Sequence, residues 1–121
     1  MDLIEGYEIN IKMKGFNENP IAIVTLTIEE RIEIRYAPIY WKEKRTGIFF
    51  SMPALGRLGF CHCVVFLDID EYHKLSIDVL TKFKKIASEK YTKEQSEIID
   101  KLVDEQIKLI NEIPSDIHAR Q

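Results

Sequence analysis

Hydrophobic and polar positions alternate from Tyr7 to Met13, with Ile9, Ile11 and Met13 on one face and Glu8, Asn10 and Lys12 on the other. A period of two is that of a half-buried strand. A turn rich in Gly, Asn and Pro follows over residues 15–20. Ile21 to Ile28 is a nearly unbroken run of β-branched and apolar residues, which predicts a central strand buried on both faces. Arg31 to Tyr36 alternates strictly, predicting Ile32, Ile34 and Tyr36 inward and Arg31, Glu33 and Arg35 outward. The strand is expected to continue to Trp41, with a bulge or an edge at Pro38, which has no N–H to give to a ladder. Residues 42–47 read as a polar turn and Ile48 to Met52 as a fourth strand stopped by Pro53. Beyond a loop holding Gly56 and Gly59, Cys61 to Asp68 reads as a fifth.

After Asp68 the period changes to 3.6. Asp68 and Glu71 have capping-box spacing, and Tyr72, Leu75, Val79, Phe83 and Ile86 then recur at threes and fours, with Leu80 and Ala87 widening the stripe. Thr92 and Gln95 repeat the capping box and open a second amphipathic helix that Pro114 stops. The fold class is therefore α+β, an antiparallel five-stranded sheet followed by two C-terminal helices. The 121 residues make one domain, in which 1–90 form an α+β unit and 91–121 a C-terminal amphipathic helical extension. On the second helix Ile98, Ile99, Leu102, Val103, Ile107, Leu109 and Ile110 form a broad apolar face. It either packs on its own sheet or serves as the interface to a second copy or another protein.

Composition adds exclusions. No apolar run approaches the ~20 residues that span a bilayer, and acids stand at the N-terminus where a signal peptide carries Lys or Arg. The expectation is a cytoplasmic protein with no membrane partner. A net charge of −3 and a pI near 5.6 argue against bulk attraction to polyanions, so any nucleic-acid site must be a local patch. Residues 74–93 hold six lysines against Asp78 and Glu89, a balance of +4, whereas residues 94–116 hold seven acids against Lys101 and Lys108, a balance of −5. Lys74, Lys82, Lys84 and Lys85 are the candidate phosphate contacts, with Lys42, Lys44, Arg45 and Arg57 as a secondary patch. Tyr40, Trp41, Phe49 and Phe50 would stack on bases if exposed and fill the core if buried.

Other chemistry has little support. On a strand, Cys61 and Cys63 share one face and His62 takes the other, too few ligands nearby for a four-coordinate zinc site, so these residues read as core. Gly56-Arg-Leu-Gly59 spells the loop of a KH domain but lies between strands rather than helices. No phosphate-cradling glycine pattern and no nucleophile–base–acid set can be placed. The expectation is a non-enzyme without metal or cofactor.

Ala22-Ile-Val-Thr-Leu26, then Ile32-Glu-Ile, then Gly47-Ile-Phe-Phe-Ser-Met-Pro53 follow one another in an order that resembles the SpoVG family, the bacterial septation and sporulation regulators. Leu67 through Lys74, then Leu75, Val79-Leu80 and Phe83, are similar to that family's helix. The resemblance covers about half of the chain. It departs at Ala54-Leu55-Gly56, which delay the basic residue after Met-Pro to Arg57, at Val65-Phe66, and at Glu71-Tyr72-His73-Lys74, which keep only the lysine of the family's basic segment. The helix from Thr92 to Ile113 has no counterpart in it. The resemblance implies a small α+β homodimer that binds DNA or RNA and acts as a regulator. The alternative is a protein-interaction or assembly module built on the second helix, without nucleic-acid binding.

Overall fold

The structure is a computed structural model that describes residues 7–52 and 69–112. Four strands, β1 (Tyr7–Met13), β2 (Ala22–Ile28), β3 (Ile32–Trp41) and β4 (Ile48–Phe50), form an antiparallel meander in the order of the chain. Two helices follow, α1 (Ile69–Lys90) and α2 (Lys93–Asn111). The α+β class and the C-terminal helices agree with the sequence reading. The fifth strand expected over Cys61–Asp68 lies outside the described residues, as do Arg57, both cysteines, the Asp68 cap and Pro114; the described sheet has four strands.

β1 pairs with β2 without a break, from Tyr7 opposite Ile28 to Met13 opposite Ala22. Its alternation is as expected, odd residues half-buried and even ones exposed. β2 differs from expectation: Ala22, Val24 and Leu26 are fully buried, but Ile23, Thr25 and Thr27 on the other face are only half-covered. Both helices pack on the same side of the sheet, so one face of β2 is core and the other is not.

In β3 Ile34 is buried, and Glu33, Arg35 and the preceding Arg31 are exposed, as predicted, but Ile32 and Tyr36 are exposed rather than inward. Leu26 pairs with Ile34 and Val24 with Ala37, so the single residue Thr25 faces both Arg35 and Tyr36. This is a β-bulge, and it inverts which residues face inward from that point on. Tyr36 takes φ 64° and is 71% exposed, and Ile32, near the strand's free end, is 58% exposed. Ala37, Ile39 and Trp41 point into the core instead. The bulge sits two residues before Pro38. Pro38 accepts from the Ser51 N–H at 3.0 Å but has no N–H to return, and the β3–β4 pairing ends one residue earlier, at Ile39 opposite Phe50.

The turns carry backbone strain. Glu29 and Glu30 both have positive φ, with Arg31 N–H donating to Ile28 C=O at 3.0 Å, a mirror-image turn that ordinarily selects Asn-Gly. Lys44 and Arg45 have positive φ in the β3–β4 turn, which is closed by Lys42 N–H to Gly47 C=O at 2.8 Å. A Cβ on Gly47 would stand 2.7 Å from Lys42 Cδ, so the absence of a side chain there lets the lysine stem cross the strand.

α1 lays Leu75, Val79, Leu80, Phe83 and Ala87 on the sheet, as its period predicts. Each large apolar side chain buried this way contributes about 1.5–3 kcal/mol. α2 starts at a reciprocal capping box between Thr92 and Gln95 and folds back beside α1. It gives Ile99, Val103 and Ile110 to the same core. At the end of the molecule that holds the β1–β2 loop, Phe16 meets Trp41 and Tyr91 edge-on at 5.2 and 5.9 Å. Trp41 Nε1 donates to Phe16 C=O, Asn19 Oδ1 accepts from the Trp41 N–H, and the Tyr91 hydroxyl donates to Lys14 C=O.

Candidate nucleic-acid interface

The cations singled out in the sequence separate into three groups. At ~100° per residue, Lys74, Lys82 and Lys85 share one flank of α1, the flank that faces β1. Lys84 projects from the opposite flank, where its Nζ is 2.8 Å from Asp104 Oδ1 of α2. Asp104 raises the Lys84 pKa through that bond, with a smaller contribution from Asp100. Lys42, Lys44 and Arg45 belong to the β3–β4 turn. The helical period already sets Lys82 and Lys84 on opposite flanks, and α2 lies on the Lys84 side of α1.

The β1-facing flank is tied to the strand. Lys74 Nζ lies 3.0 Å from Asp78 Oδ2 and 3.3 Å from the Tyr7 hydroxyl, and 5.6 Å from the centre of the Tyr7 ring. The Tyr7 hydroxyl also donates to Asp78. Burial, then the bond to Asp78, raises the Tyr7 pKa; Asp78, then Tyr7, raises that of Lys74. Lys82 Nζ donates to the Ile9 carbonyl. Lys85 is exposed and has no partner among the described residues. An open groove of about 690 Å³ runs between helix and strand, lined by Ile9, Asp78, Thr81, Lys82, Lys85, Ile86 and Glu89. All three lysines have their ammonium groups at the surface. Exposed pairs of this kind are worth ~0–1 kcal/mol, so a phosphate can replace the present partners at little cost.

The turn cations are engaged differently. Arg45 stacks over Trp41 at 5.0 Å and Phe16 at 5.6 Å, and its guanidinium donates to Asn17 Oδ1 at 2.8 Å and Asn17 C=O at 3.2 Å. Lys42 Nζ donates to Gln106 Oε1 of α2 at 2.8 Å. Both therefore hold the turn against its neighbours. Only Lys44 of this group is exposed without a partner among the described residues.

The aromatic candidates divide by face. Trp41 and Phe50 are buried, whereas Tyr40 and Phe49 lie half-covered on the outer face, their rings 5.6 Å apart. The broad apolar face of α2 divides too. Ile99, Val103 and Ile110 are buried, Leu102 and Ile107 pack partly on the core, and Ile98 and Leu109 remain 47% and 51% exposed. As a whole this face is thus not a free interface; it is mostly the inside of the protein.

Among the described residues no group of three or more His, Cys, Asp or Glu is placed to hold a metal ion, and no helix is long and apolar enough to cross a membrane. The features that sequence reasoning missed are the role of Arg45 and the β1-facing groove. Neither has a sequence signal, since both depend on which elements become neighbours. Compared with known proteins, the chain matches no family model, no curated protein and no solved structure.

Proposed function

We propose that this chain is a SpoVG-like nucleic-acid-binding regulator that works as a cytoplasmic dimer, with the β1-facing flank of α1 as its phosphate contact. The observation that carries the reading is the alignment of Lys74, Lys82 and Lys85. They lie on one flank over eleven helical steps, about 16 Å of helix, with their charges at the surface. The order of the strands, Met52 after β4 and the helix beyond it follows the resemblance. The test is titration of a labelled oligonucleotide at two salt concentrations. Each phosphate contact steepens the log–log salt dependence by about 0.7–0.9, so Lys85→Glu lowers the slope by about one contact. No binding at ~50 mM salt refutes the proposal.

The exposure of Ile98 and Leu109 supports a second reading, a protein-interaction module docking through the outer edge of α2. Removing α2 does not test it, because Ile99, Val103 and Ile110 would leave the core with it. Ile98→Asp with Leu109→Asp does: loss of a partner or of oligomeric mass, with stability unchanged, favours this reading.

A further inference from the structure

Of the four described strands β1 lies at one edge, and its sequence is complementary to itself. Lys14 N–H donates to Ile21 C=O at 2.9 Å, which puts the even residues of β1 in the hydrogen-bonded pairs with β2. The N–H and C=O groups of Tyr7, Ile9, Ile11 and Met13 therefore point to the open edge. The edge is regular along its seven residues, with no bulge, proline or inward charge of the sort that normally blunts an exposed edge. Among the described residues, what covers it is one side chain: the Lys82 ammonium on the Ile9 carbonyl.

A second β1 laid antiparallel about Asn10 satisfies every position. Ile9 faces Ile11 of the second copy and Tyr7 faces Met13, in pairs that exchange both hydrogen bonds. On the outer face Glu8 stands opposite Lys12 of the second copy, Lys12 opposite Glu8, and Asn10 opposite its own copy. Glu8 and Lys12 are both exposed and have no partner among the described residues. The inward side chains of the incoming strand enter the groove beside Ile9 and Ile86, which is lined by two lysines and two acids. That balanced lining suits a copy of the same surface, as a two-fold interface requires.

We infer that two copies of this chain associate by β1-to-β1 pairing across a two-fold axis at Asn10, forming one continuous sheet. The inference rests on the dimer in the proposed function and goes further by naming the surface. Pairing gives the Ile9 carbonyl to Ile11 N–H of the second copy and releases Lys82 to the basic flank. The lysine rows of the two copies then adjoin.

The test is light scattering on the full chain over a concentration series, with nucleic-acid binding measured separately. Wild type is expected to be a dimer. Lys12→Glu places Glu opposite Glu twice per dimer and should weaken association about tenfold to several-hundredfold, and Glu8→Lys with Lys12→Glu should restore it. Asn10→Cys should cross-link between copies on oxidation beyond the wild-type background, since directly opposed residues have Cβ atoms ~4.5–5.5 Å apart. A monomeric wild type, or a dimer indifferent to Lys12→Glu but split by Leu109→Asp, overturns the assignment. Oligonucleotide binding by such a protein would leave the nucleic-acid reading standing.

Discussion

Replacing Arg45 with lysine keeps the positive charge and removes the planar fork that this fold uses. The guanidinium stacks on two rings, at 5.0 Å over Trp41 and 5.6 Å over Phe16, and each such contact at an exposed site is worth about 0.5–1 kcal/mol. Its bonds to Asn17 add at the low end of the hydrogen-bond range, roughly 0.5 kcal/mol net. Arg45→Ala should therefore cost about 1.5–2.5 kcal/mol, and Arg45→Lys most of that, since lysine has no plane to stack and no fixed fork of donors. The positive φ at this position strains Arg, Lys and Ala alike, so the difference between them reports the contacts. Urea unfolding followed by Trp41 fluorescence measures the effect at its source, as Trp41 is the sole tryptophan. The same variants should leave the salt slope of oligonucleotide binding unchanged. If Arg45→Ala unfolds at the wild-type urea midpoint and reduces the salt slope, Arg45 is a phosphate ligand and the structural account of it fails.

Two further outcomes follow from the turns and the tyrosines. Glu29→Asn with Glu30→Gly relieves positive φ at two exposed residues and should raise stability by about 1–2 kcal/mol, seen as a higher urea midpoint at constant slope; an unchanged or lower midpoint would refute the mirror-image turn. Burial raises the pKa values of Tyr7, Tyr72 and Tyr91 above the ordinary value. A raised value in the folded state means stability that is complete below about pH 10 and lost as pH rises through the folded pKa. Thermal melts should fall at alkaline pH, and Tyr7→Phe should flatten part of that fall; equal slopes in the variant and the wild type would count against it.

Periodicity was a good guide wherever the backbone was regular. The alternation of Tyr7–Met13, the stripe from Leu75 to Ala87 and the Thr92–Gln95 cap all stand in the structure as the spacing predicts. The phase of β3 failed at Tyr36, because the bulge suggested at Pro38 falls two residues earlier, at Arg35–Tyr36. Its effect is to exchange Tyr36 for Ala37 on the inside. Likewise, the helical wheel separates Lys82 from Lys84, but only the positions of β1 and α2 decide that the first borders a groove and the second an acid of the neighbouring helix. The apolar face of α2 was visible in full, whereas its division into buried Ile99, Val103 and Ile110 and exposed Ile98 and Leu109 follows from how α2 leans on α1 and β4.

The meander also governs how the chain folds as it is made. Each strand pairs with the one before it, so the loops to be closed are short and the sheet can zip hairpin by hairpin. Among the described residues, its apolar face has no cover until α1 exists, and Tyr7 must wait 71 positions for Asp78. A nascent chain that ends short of Ala87 displays Ala22, Val24, Leu26 and Ile39 to water with part of their cover missing. Synthesis of the two helices, rather than pairing of the strands, therefore completes the cover of that face.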